Sequence, residues 1–287
     1  MGRKAYQKGR AGLFQAFPSL GKSGNWLATG AGGSDPPREM IRSDPRAEQA
    51  LIKAAEKGDI GGIRAALAQG AQDANRALIR ASAGGHALAV GYLLDHGADI
   101  HFALRGGPRP GDPLREAVRN KRVEVVRLLL ERGADATFDG SMALCVAVKN
   151  GSVQIVRMLL KAGADPGPRG YEALLIGIEG GEAECVRVLL KSERAKGVPS
   201  EVLDPYCEEG LRFAVANGNV RLAEAVLDGG ADVRADSDGA LRRASKKGDR
   251  AMALLLLERG ANPAEAAKWN TASGKAFLEK LTREKEV

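Results

Sequence analysis

Aromatic residues are scarce in this chain, at 4% of 287 residues, although 44% are hydrophobic. A core drawn from that pool is built from Ala, Val, Leu and Ile. Cysteine is as scarce: Cys145, Cys185 and Cys207 are odd in number and show no C-x-x-C spacing. That excludes a disulfide framework and a thiolate zinc site, and it points to a reducing compartment. No stretch approaches the roughly 20 apolar residues needed to cross a bilayer, and the run from Ala253 to Leu257 stops at Glu258 and Arg259. The apolar patch from Leu13 to Phe17 is short and broken by Gln15, so a cleaved export signal is not expected.

Chemistry-bearing constellations are missing as well. Ala16-Phe-Pro-Ser-Leu-Gly21-Lys22-Ser23 approaches a phosphate-binding loop, but Ala16 stands in the first glycine position. Neither the preceding strand nor the following helix that such a loop needs is visible. The histidines are His86, His96 and His101, and a metal site would require them to converge with a carboxylate such as Asp99. His86 opens one helix and His96 sits near its end, which holds them apart and favours solvated surface roles. Cys185 falls at an apolar helical position, and Cys145 lies in a helix where other repeats carry Arg. No residue has the paired base that nucleophilic catalysis requires. No catalytic residue, metal ligand or cofactor is therefore assigned.

What the chain has in abundance is self-similarity. A Leu-x-x-Ala pattern recurs at Leu51/Ala54, Leu78/Ala81, Leu114/Ala117, Leu144/Ala147, Leu211/Ala214 and Leu241/Ala244, with Leu174/Gly177 as a variant. Seven positions after each anchor leucine stands Gly58, Gly85, Gly151, Gly181, Gly218 or Gly248, with Lys121 as the departure. Nineteen positions after it come Gly70, Gly97, Gly133, Gly163, Gly230 and Gly260, each followed by alanine. Glycine at these places ends helices, because it takes the left-handed conformation without a Cβ clash. Each unit thus reads as two short helices, the second with a broad apolar face, as in Val123, Val126 and Leu130. Such a pair buries its faces only by stacking on its neighbours.

With Gly-Ala-Asp at 97–99, 133–135, 163–165 and 230–232, and Gly-Ala-Asn at 260–262, this rhythm resembles the ankyrin repeat family over residues 50–263. The family's T-P-L-H opening is approached only by Asp112-Pro113-Leu114-Arg115. The resemblance implies an all-α fold, an ankyrin-type α-solenoid of about seven helix-turn-helix repeats. Anchors 30 residues apart, at Leu114, Leu144 and Leu174, fall short of about 33 in the family, so the protruding fingers are expected to be shortened turns.

Three stretches depart from the rhythm. Residues 1–48 are Gly-rich and aperiodic, hold eight basic and four acidic residues, and are expected to be disordered. The solenoid is expected over 49–263, and 264–287, with Trp269, Phe277, Leu278 and Leu281 among charges, reads as a helical cap. Arg105–Gly111 and Lys191–Glu209, where the anchor spacing grows to 37, are expected to be long loops.

In the ankyrin family the concave face is made by the turns and the exposed ends of the first helices, and the resemblance implies the same here. The candidate partner-binding residues are Arg119, Asn120, Lys149, Asn150, Glu179, Asn217, Lys246 and Lys247, with Phe138 and Tyr171 as aromatic anchors in adjoining turns. Across the repeats the two positions before the first glycine stop carry five positive and two negative residues, which implies a partner protein with an acidic or mixed-charge surface. The function expected is a noncatalytic protein–protein interaction scaffold or adaptor, monomeric and cytoplasmic, with nuclear or organelle import as alternatives. The competing reading is polyanion or nucleic-acid binding by the basic N-terminal segment. It is the weaker, because the segment's aromatics form no base-stacking pattern.

Overall fold

The computed structural model describes residues 44–103, 111–167 and 171–285. The expected disordered segment, up to residue 43, and the near-match to a phosphate loop lie outside the described residues, as does the 105–111 loop except for Gly111. The chain divides into two units at Arg42/Ser43, and the second, Ser43–Val287, is the solenoid.

Among the described residues there are sixteen helices and no strand. The first helices of successive pairs are α1 (Pro45–Lys57), α3 (Ala74–Gly84), α5 (Pro113–Arg119), α7 (Phe138–Lys149), α9 (Glu172–Gly180), α11 (Ser200–Asn217), α13 (Ala235–Lys247) and α15 (Pro263–Lys268). Their partners are α2 (Ile60–Ala68), α4 (Ala87–Asp95), α6 (Val123–Glu131), α8 (Val153–Lys161), α10 (Ala183–Ala195), α12 (Val220–Asp228), α14 (Arg250–Glu258) and α16 (Ala272–Lys285). Each first helix packs on the next first helix and on its own partner, which makes one all-α solenoid. The expected cap is its eighth pair: α15 and α16 stack on α13 and bury Ala266, Leu278 and Leu281.

Local sequence dictates these boundaries. Pro45, Pro113 and Pro263 open helices at the position where a missing N–H costs nothing. Asp59, Asp73, Asp112, Asn219 and Asp249 cap helix N-termini, each accepting a backbone N–H of the first turn at 2.8–3.1 Å. Gly58, Gly85, Gly181, Gly218 and Gly248 close the first helices with φ of 68–89°. Lys121 adopts φ 56° at the same place, a conformation that disfavours a side chain.

The anchor leucines lie in one continuous core, each no more than 3% exposed, and the alanines three places later pack beside them. Gly177, the variant, fits for a steric reason. A Cβ there would lie 2.9 Å from Val186 Cγ2 and 3.1 Å from Val148 Cγ1, both on buried side chains.

A second periodic device ties the units together. The residue three before the anchor accepts a hydrogen bond from an amide 24 positions on: Glu48 from Gln72 at 2.7 Å, Asn75 from Asp99 at 2.7 Å, Ser141 from Asp165 at 2.9 Å, and Asp238 from Asn262 at 2.6 Å. Each clasp holds the end of one unit against its own first helix. Glu48 thereby belongs to the solenoid, and the expected boundary at 48/49 falls inside α1, which starts at Pro45 behind its Asp44 cap.

The shortened fingers are turns of an unusual kind. Asp139, Gly140 and Ser141, and again Asp236, Ser237 and Asp238, take three consecutive left-handed conformations before the right-handed helix begins. Left-handed backbone costs about 1–2 kcal/mol at each non-glycine residue. Ser141 and Asp238 are the clasp residues, so the clasp hydrogen bond offsets part of that cost in place.

The expected long loop at Lys191–Glu209 is not there. Lys191-Ser-Glu-Arg-Ala continues α10 to Ala195, and α11 begins at Ser200, which leaves four residues between them. The Gly-Ala-Asp stop is missing from this unit, and helix-forming residues run on until Gly197 and Pro199 interrupt them.

Candidate functional site

The positions that precede the first glycine stop line the ends of the first helices, but several of them are engaged within the solenoid. Asn150 Nδ2 donates to the Arg119 carbonyl at 3.1 Å, and Lys247 Nζ donates to the Ala216 carbonyl. His86 Nε2 lies 2.9 Å from the Glu56 carbonyl, Arg122 Nε donates to Ala83 at 3.0 Å, and Asn219 Nδ2 to Gly181 at 3.2 Å. At five of the seven junctions a side chain of the next unit thus caps a carbonyl at the end of the preceding first helix. Asn217 donates to Phe213 of its own helix at 2.9 Å, Asn120 to Glu116 at 2.8 Å, and Arg119 pairs with Glu116.

Lys149, Glu179 and Lys246 are exposed, and none of the three makes an ion pair or side-chain hydrogen bond among the described residues. Phe138, the first residue of α7, is 43% exposed, beside Ile100, His101 and Leu114. Tyr171 is turned inward. Its ring meets Tyr206 at 5.2 Å, and its hydroxyl bonds Glu193, a carboxylate only 3% exposed that also accepts from Lys196 Nζ at 2.9 Å. Burial, reinforced by the Glu193 charge, raises the Tyr171 pKa. Burial works against the Lys196 charge, but the Glu193 hydrogen bond and charge overcome it and hold Lys196 above its ordinary value.

A feature not singled out from sequence lies on the same face. The second position after each anchor reads Lys53, Arg80, Glu116, Val146, Ile176, Phe213 and Arg243. On a helix this position stacks with the ones three and four residues later, so it shares a face with the glycine-stop positions. The central three residues, with Met142 one turn before Val146, form a half-buried apolar seam across α7, α9 and α11, and Leu175 beside it is 36% exposed. Comparing repeats column by column would have found it, because the column switches from charged to apolar and back.

The opposite face differs. Grooves open between neighbouring second helices: about 540 Å³ between α6 and α8, about 530 Å³ along α4 and α6, and about 380 Å³ between α10 and α12.

Residues 114–198 match the ankyrin repeat family, in three copies. That segment is an ankyrin-repeat array. It spans α5 to α10, and the same clasps and glycine stops continue on both sides of it. Comparison with curated proteins finds no match. Ankyrin repeats generally mediate protein–protein interactions, and the family is typically noncatalytic.

The thiols are chemically quiet in this array. Cys145, Cys185 and Cys207 are all buried, and burial pushes Cys185 and Cys207 up to about 11. His96 stacks on Tyr92 with ring centroids 3.9 Å apart, and His86 serves as a helix cap. Among the described residues no group of three metal-ligating side chains converges, and no helix is long and apolar enough to span a membrane.

Proposed function

We propose that the chain is a noncatalytic interaction scaffold that holds a partner protein on its first-helix face. The observation that carries this reading is the apolar seam of Met142, Val146, Ile176 and Phe213, which is only half-buried against the core. The buried layers repeat because stacking demands it, whereas this half-buried column changes from charged to apolar and back along the array. The binding residues proposed are those of the seam together with Lys149 and Lys246, with Arg119, Asn120, Phe138, Glu179 and Asn217 along its margins. Asn150, Tyr171 and Lys247 contribute by holding the face in shape.

Affinity capture from lysate tests the proposal. The full chain is expected to retain a stoichiometric partner that is released by Lys149→Glu combined with Lys246→Glu, two changes at exposed positions. Retention by that variant, or turnover of any substrate by the purified chain, would contradict the reading. The second reading rests on residues 1–34, which carry five basic residues and no acid. It predicts polyanion binding that collapses steeply with salt and disappears when residues 1–43 are removed.

A further inference from the structure

We infer that the partner element is a short peptide segment, apolar along most of its length and acidic at one end, lying across α7, α9 and α11 with its acidic end over α13. This rests on the first-helix face being the binding face.

The seam sets the shape of the occupant. It is one or two residues wide on each helix and crosses three neighbouring helices. At the usual interaxial distance of about 8–10 Å, that makes it roughly 20 Å long. A narrow strip of this kind matches a single segment better than the flat side of a folded domain. An extended chain, at about 3.3 Å per residue, covers it with roughly six residues. The next helix lies roughly 10 Å further on, about three more residues away.

Charge sets the direction. On α13 the seam position becomes Arg243, beside Arg242 and one turn before Lys246. Arg242 and Arg243 share one carboxylate, that of Asp236, at 3.4 and 3.6 Å, and Lys246 has no acidic partner among the described residues. Arg242, Arg243 and Lys246, set against Asp236 and the buried Asp238 that accepts the Asn262 amide, leave a net positive charge where the apolar strip ends. The other rim is balanced differently: Arg212 pairs with Glu209 at 2.8 Å, Arg119 pairs with Glu116, and Glu179 is exposed. Along the rest of the seam the exposed cation without an acidic partner among the described residues is Lys149 on α7, against the cluster of three on α13, so carboxylates gain most at the α13 end.

The probe for the test is a displayed library of random peptides of about 16 residues, longer than the roughly nine-residue footprint, selected on the full chain. Enriched peptides are expected to share an apolar stretch followed or preceded by a cluster of Asp or Glu. Their affinity should fall about tenfold or more with Val146→Thr plus Ile176→Thr, and by a similar factor with Arg243→Glu plus Lys246→Glu. The charge-reversed variant alters exposed side chains only, and an unchanged circular dichroism melt would show that it still folds. Peptides without acids that are lost with the threonine variant would overturn the charge assignment while leaving the binding face intact. Peptides indifferent to both variants would overturn this inference and the proposed binding face together. A library that yields no enrichment would overturn the peptide inference alone.

Discussion

The two ends of the first-helix face and its middle are built on the same frame yet present opposite surfaces. In α1 and α3 the outward column carries Lys53, Glu56, Arg76 and Arg80, whereas in α7, α9 and α11 it carries Met142, Val146, Ile176 and Phe213. Beneath both, Leu51, Leu78, Leu144 and Leu174 are equally buried. The inward positions are fixed by stacking, so they report the fold and nothing else. The outward positions are less tightly bound by that demand, and their change of character is what the proposed binding face rests on.

Truncation of an anchor should show the largest effect. Leu144→Ala is expected to cost about 3–4 kcal/mol, the lost transfer energy plus the cavity it leaves, read as a fall in the urea unfolding midpoint. Val146→Thr with Ile176→Thr, two residues further along each helix, should cost no more than about 1 kcal/mol because those side chains are only half-buried. If the outward pair proved as costly as the anchor, the division into stacking and outward layers would break.

Gly177→Ala sharpens the same comparison at a buried site. The new methyl meets Val186 and Val148, an overpacking cost of about 2 kcal/mol, against about 1 kcal/mol gained in helix propensity. A net loss of about 1 kcal/mol is expected, although Ala is the usual residue at this position. Lys121→Gly should act in the opposite sense, gaining about 1 kcal/mol by relieving the left-handed lysine at the end of α5.

The smallest effect concerns pH. Tyr171 and Lys196 both have raised pKa values, so their protonated forms are favoured in the folded state. Their contribution is intact at neutral pH and is lost as pH rises past about 10, where the unfolded chain releases these protons. Glu193→Gln should flatten that alkaline loss. The buried thiols offer an independent check on the core. Cys185 and Cys207 should ignore a thiol reagent at pH 8 until denaturant is added, since thiols held at about 11 are almost wholly protonated there.

Most of the frame was legible in the sequence, because stacking repeats the same residues at the same offsets: Leu, Ala, the two glycines and the Gly-Ala-Asp ends. The extension of α10 and α11 through residues 191–209 was legible only locally. The anchor spacing suggested a loop, while the residues themselves are helix formers. The inward turn of Tyr171 depends on Glu193 and Tyr206, contacts that no local pattern reveals. Asn150 and Lys247 stood out as exposed ends of helices, yet each reaches a carbonyl of the preceding repeat, about 30 residues back. The apolar seam was present in the sequence but hidden by motif reading, which follows the residues that recur and passes over those that vary.

Amide hydrogen exchange of the full chain, with and without its captured partner, tests the central claim most directly. Protection is predicted at the first helices α7, α9, α11 and α13 and not in the grooves between the second helices. Protection confined to α4, α6 and α8, with the first helices unchanged, would place the partner on the opposite face and contradict the account.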